Sequence, residues 1–186
     1  MDHNPRRLVE TQMNLWRVNI NTPLMQIAKI NDDSKMSGYL EDYPNSIDDI
    51  NDYGDTALII AAKYGNDKTV KILINHGANL NIKNDRGVTA LATTSSNGHI
   101  KVVELLLTSS RLNCLNEQDN NGNTPLHLAA LYGYFDVVKM LSDHGALNKI
   151  YNNYHRLAND LAKSLEINDY IRNYYICDVK EPEDSR

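Results

Sequence analysis

Along the chain, short apolar runs recur in pairs. Leu58, Ile59, Ile60, Ala61 and Ala62 are followed past Gly65 by Val70, Ile72 and Leu73. Leu126, Leu128, Ala129 and Ala130 are followed past Gly133 by Val137, Val138, Met140 and Leu141. Between these pairs, Leu91 and Ala92 precede Gly98, then Val102, Val103, Leu105 and Leu106. The second member of each pair has helical spacing. In the first, small Ala residues narrow the apolar stripe, so that neighbouring helices can approach closely. Gly65, Gly98 and Gly133 predict helix ends, since glycine readily takes the positive φ of a helix C-terminus. Gly77-Ala78 and Gly145-Ala146 close the second helices. Each unit is therefore two short helices, and none could bury its own stripe alone.

The units repeat. Thr56, Thr89 and Thr124 begin GDTALIIAAKYG-, GVTALATTSSNG- and GNTPLHLAALYG-type segments, and lie 33 and 35 residues apart. A threonine there predicts an N-cap that accepts an otherwise orphaned N–H. Pro125, or Ala57 and Ala90 in its place, fits the first helical turn. Thr124-Pro125-Leu126-His127-Leu128-Ala129 carries the T-P-L-H-x-A signature, and on these residues the chain resembles the ankyrin-repeat family. Weaker copies flank the three, at Thr22-Pro23-Leu24 and at Leu157 to Ala162. The resemblance implies an all-α solenoid of stacked helix-turn-helix units joined by short hairpin loops. Its repeats are expected near 19–50, 51–83, 84–118, 119–151 and 152–178. Residues 1–18 read as an N-terminal capping segment, with Leu8, Gln12, Leu15 and Trp16 on or near one helical face. A docking segment for a partner is the other reading. Residues 179–186 read as a disordered tail. At the C-terminal end, Ile167, Tyr170, Ile171 and Tyr174 keep helical spacing and are expected to finish the core.

Three irregularities stand out. The third copy lacks Gly-Ala after its second helix and is two residues longer, reading Thr108 to Cys114, which predicts a bulged loop opposite the hairpins. Its first helix reads Ala92-Thr93-Thr94-Ser95 where its neighbours are aliphatic. Hydroxyls there can bond back to the i−4 carbonyl and slightly weaken the helix; the sharper reading is a polar pocket in mid-array. The first copy is degenerate from Asp33 to Leu40, and Tyr43-Pro44 ends its helix.

Composition narrows the function classes. The 186 residues carry a formal charge of −5, with 41% hydrophobic and 23% charged residues, which is ordinary for a soluble domain. The acidic balance argues against nucleic acid, which needs a Lys/Arg surplus. No apolar run is long enough for a membrane span. The N-terminus has no apolar signal-peptide core, and Cys114 and Cys177 form no CxxC pattern. Both fit a cytoplasmic protein. Abundant Asn and Tyr fit an AT-rich genome and admit a bacterial or viral effector acting in a eukaryotic host.

Catalytic chemistry finds no anchor. There is no HExxH, GxSxG or glycine-rich phosphate loop, and the regular placement of His76, His99, His127 and His144 reads as repeat architecture. No enzyme, cofactor or metal is expected. The resemblance implies instead a concave face of hairpin fingers and first-helix palm that binds a protein. The residues matching that face are Tyr53, Asp55, Lys63, Tyr64, Arg86, Val88, Ser96, Asn97, Asn121, Asn123, Leu131 and Tyr132, with Asp52, Asp85 and Asn120 beside them. Tyrosine suits an interface anchor and arginine adds bidentate contacts. Asn81 and Asn116 match the hairpin position where ankyrin repeats can be substrates of an asparaginyl hydroxylase; bracing of the hairpin backbone by the amide is the simpler reason for them. The expected function is a monomeric adaptor or inhibitor, or else the binding module of a larger enzyme complex.

Overall fold

The computed structural model describes residues 21–174. The N-terminal capping segment, Cys177 and the tail lie outside the described residues. Nine α-helices are present among the described residues, with no strand. In chain order they are α1 (Pro23–Ile30), α2 (Asp33–Asp42), α3 (Ala57–Tyr64), α4 (Asp67–Asn75), α5 (Ala90–Asn97), α6 (Ile100–Leu107), α7 (Pro125–Tyr132), α8 (Phe135–Asp143) and α9 (Leu165–Tyr174). A 3₁₀ turn, Ala158–Leu161, stands where a fifth first-helix would be.

The helices stack in two rows. First helices α1, α3, α5 and α7 pack in succession and end on the 3₁₀ turn; second helices α2, α4, α6, α8 and α9 form the parallel row. This is the all-helical solenoid that the repeat predicts. Each first helix starts the same way: Thr22, Thr56, Thr89 and Thr124 accept the N–H of the residue three positions on, at 3.2–3.4 Å. Three of these helices end at a left-handed glycine, while in the first repeat Asn31 takes that role at φ 58°. Leu58, Leu91 and Leu126 are fully buried at equivalent positions, beside the small Ala61, Ala62, Ala129 and Ala130. Close approach of the palm helices depends on those alanines.

Deviations from the repeat have local causes. Despite few aliphatics, residues 33–42 form a full helix, because Met36 and Leu40 are both buried and Asp32 caps the Lys35 N–H at 3.1 Å. It ends before Pro44 as the sequence suggests. In the last repeat Leu157 replaces the capping threonine; the Asp160 carboxylate accepts the Leu157 N–H instead, at 2.9 Å, and only a 3₁₀ turn forms. Ile167 and Ile171 of α9 are buried, and Tyr170 meets Phe135 edge-on at 5.3 Å. The long loop of the third repeat folds back on its neighbour: the Arg111 guanidinium donates to the carbonyls of Ile74 and Ala78 at the end of α4. It thereby satisfies acceptors that a helix end leaves open.

Candidate functional site in the concave face

The hairpins are built around one side chain each. Asn51, Asn84, Asp119 and Asn152 turn an Oδ1 inward to accept the N–H groups two and four residues ahead, at 2.8–3.1 Å. Such turns need only a short carbonyl-bearing side chain. Successive hairpins are then joined by backbone rungs: Asp85 N–H to Tyr53 O, Asn120 N–H to Arg86 O, and Asn153 N–H to Asn121 O, at 3.0–3.1 Å. At the hairpin base the spare amide of the turn residue adds an inner rung. Asn51 donates to Asn21, Asn84 to Asp55, and Asn152 to Asn123, at 2.7–2.9 Å.

One inner rung is missing. Between the third and fourth repeats the turn residue is Asp119, whose side chain has no N–H to give, and the position equivalent to Asp55 and Asn123 is Val88, whose side chain cannot accept. Here the concave face opens into a groove of about 610 Å³, lined by both residues. Its floor lies over α5. Thr93, Ser96 and Asn97 stand where α3 has Ile60, Lys63 and Tyr64, and where α7 has Leu128, Leu131 and Tyr132. Smaller side chains between larger ones leave a depression. The hydroxyls are bonded back into their own helix, Thr93 to Thr89 O at 2.9 Å, Ser95 to Leu91 O at 2.7 Å and Ser96 to Thr93 O at 2.8 Å. Of Thr93, Thr94 and Ser95, only Thr93 lines the groove; Thr94 and Ser95 are fully buried, and the Thr94 hydroxyl bonds forward to His99 O at 3.2 Å.

Nine of the twelve residues expected on the concave face line this groove: Lys63, Arg86, Val88, Ser96, Asn97, Asn121, Asn123, Leu131 and Tyr132. Tyr53, Asp55 and Tyr64 do not. Tyr53 is 58% exposed on the preceding hairpin, and Tyr64 lies beneath the Lys29 ammonium, 5.7 Å from its ring centre. Two of the twelve are spent on the framework. Asp55 accepts the Asn84 amide, and Asn123 is buried between Asp119 and Asn152. Leu128 and Asp119 line the groove without standing out in the sequence, whereas Thr93, which also lines it, belongs to the polar stretch of α5 already read as a pocket. Their signal is a change of size or hydrogen-bonding type within an aligned column, which a search for exposed residues passes over.

The ionic character of the groove is uneven. The side chains of Lys63 and Arg86 are exposed and take part in no hydrogen bond or ion pair among the described residues. The Asp119 carboxylate is already engaged by the N–H groups of Asn121 and Asn123 and, at 3.4 Å, by the Asn123 amide. Leu131 and Tyr132 add exposed apolar surface at the rim.

Four of the histidines bond to the backbone of the array. His127 donates from Nε2 to Arg156 O at 3.1 Å and receives Thr124 at Nδ1, so it ties the fourth repeat to the fifth. Burial holds its imidazole below the ordinary histidine range. His99 meets Lys63 O at 3.1 Å, while His76 and His144 contact the carbonyls of Ile72 and Met140 in their own helices. Asn81 and Asn116 each accept a backbone N–H from the following repeat, at Asn113 and Leu147, both at 2.8 Å. Cys114 is buried, and that burial pushes its thiol up and leaves it protonated. Among the described residues no group of three or more His, Cys, Asp or Glu could hold a metal ion, and no helix is long and apolar enough to cross a membrane.

Comparison with known proteins agrees with this architecture. The family described as "Ankyrin repeats (3 copies)" matches residues 3–84 and 76–152. Oxysterol-binding protein homolog 1 of Saccharomyces cerevisiae is 46% identical over 54 residues, 28% of this chain and 4% of that protein. Oxysterol-binding protein homolog 2 of the same yeast is 41% identical over 59 residues, 31% of this chain and 5% of its own length. Alpha-latrotoxin-Lg1a of Latrodectus geometricus is 30% identical over 119 residues, 63% of this chain and 9% of the toxin. The chain spans less than a tenth of each of these relatives.

Proposed function

Because the chain belongs to the ankyrin-repeat family, we propose that it is a non-catalytic module that holds a partner protein in the groove over α5, acting as a cytoplasmic adaptor or inhibitor. Repeat arrays of this kind present one continuous concave surface to partners. The observation that carries the assignment to this groove is the coincidence of two irregularities. The small polar floor of α5 and the absent inner rung at Val88 and Asp119 open the concave face at one place. Exposed Leu131 and Tyr132 at its rim supply the apolar anchor that interfaces favour. The free, buried Cys114 fits a reducing compartment.

The test begins with capture of the partner from the native cell type and measurement of its affinity. Replacing Tyr64, Arg86 and Tyr132 together with Ala is expected to weaken that affinity at least about tenfold, since a few aromatic and arginine side chains dominate such interfaces. Unchanged affinity would move the binding surface off the concave face. A second reading has support of its own: the array serves as the binding segment of a longer catalytic or multidomain polypeptide. All three relatives carry the matching stretch as a small part of a much longer chain.

A further inference from the structure

We propose that the groove selects an extended segment of its partner that carries one acidic side chain next to an aromatic or large aliphatic one. The inference rests on the concave-face reading above and adds the chemistry of the occupant. Its first ground is charge. The chain is acidic overall, at −5, yet the two groove-lining cations, Lys63 and Arg86, have side chains unpaired among the described residues. The groove's own carboxylate, Asp119, is already engaged by three N–H groups. An incoming carboxylate would find two free cations and no competing internal pair, and arginine holds a carboxylate with two parallel bonds.

Size and lining supply the rest. A volume of about 610 Å³ falls within the range that encloses a small ligand rather than a domain face, so it takes a short stretch of extended chain. Across α5 from Lys63, Leu128, Leu131 and Tyr132 of α7 offer an apolar wall. An acidic residue and a neighbouring apolar one therefore match the two sides. A polyanion does not fit, because exposed Asp52 and Asp85 sit on the adjoining fingertips and like charges across an interface are penalised.

The experiment uses the full chain as bait for a random peptide display library, followed by titration of the selected peptides in synthetic form. Expected peptides share an internal Asp or Glu beside a large apolar residue. They should bind Lys63→Gln and Arg86→Gln about tenfold more weakly, roughly the value of one charge-assisted hydrogen bond. Selection on the Lys63→Glu/Arg86→Glu double variant should turn to Lys- and Arg-bearing peptides. Neither side chain is bonded among the described residues, so all three variants should melt as the native chain does. Peptides without acidic bias, peptides that bind both Gln variants undiminished, or enrichment of basic peptides by the native chain would each overturn the inference. So would a requirement for a free C-terminal carboxylate. If nothing is selected, the extended-segment occupant is wrong, while the Tyr64/Arg86/Tyr132 comparison still decides the concave-face reading separately.

Discussion

Helices α5 and α7 occupy the same place in successive repeats, share the same threonine cap and end at equivalent left-handed glycines. Their side chains differ sharply. In α7 the signature is complete: His127 closes a reciprocal cap with Thr124 and reaches forward to Arg156, and Ala129-Ala130 pack without polar atoms. In α5 the histidine position is Ala92, and the alanine pair is Thr94-Ser95, both buried. The backbone is held by cap, glycine and neighbour contacts, so the stripe between them can change chemistry without changing shape. The fourth repeat spends that freedom on cohesion, the third on an open groove.

The largest effect should come from breaking α7. His127→Ala removes both the Thr124 partner and the Arg156 tie and leaves a buried gap. About 2–4 kcal/mol of stability should be lost, read as a lower urea midpoint. The same substitution should flatten the pH dependence. Burial keeps the folded imidazole neutral, while the unfolded chain takes a proton near pH 6.5. Its contribution is therefore fully present above that pH and is lost as pH falls through about 6.5 toward the lower folded value. Native-chain urea midpoints should fall over this window, and those of the variant should fall less.

Next in size is Gly98→Ala at the end of α5. Gly98 has φ 72°, and an added Cβ would come within 2.4 Å of the Tyr134 ring, so the repeat-to-repeat contact must shift. A loss of about 1–3 kcal/mol is expected from a thermal melt. Smaller and opposite in sign is Thr94→Ala/Ser95→Ala, which gives α5 the alanine pair of α7. Ala exceeds Ser and Thr in helix propensity, and the carbonyls released keep helical partners, so the gain should be up to about 1 kcal/mol. A loss instead would mean that the Thr94 bond to His99 O, at 3.2 Å, anchors the helix turn. Least visible is Cys114, whose burial and raised thiol should keep it unlabelled by a thiol reagent until the chain unfolds.

Much of this was legible in the residues. The period, the threonine caps and the terminal glycines determine where helices start and stop, and the palm and finger positions follow from them. What escaped were features that arise between repeats. Asn31 and His155 both take positive φ where the other repeats place glycine, at 58° and 56°, and nothing in their local pattern announces it. Asp55 and Asn123 read as exposed contact residues, because a linear pattern does not show that the next hairpin's amide will reach them. The groove itself needs Val88, Thr93 and Asp119 considered together, and they come from three separate segments.

The inner rungs also carry information about order. Three junctions pair an acceptor on one repeat with a donor on the next, in Asn21–Asn51, Asp55–Asn84 and Asn123–Asn152. Val88 and Asp119 form a junction that asks for neither. Removing residues 84–118 would set Asp55 against Asp119, two carboxylates with no proton between them. Removing 119–151 would set Val88 against Asn152 and strand its amide. The repeats are thus alike in backbone but not interchangeable, and their sequence along the solenoid is written in the polarity of one side chain at each seam.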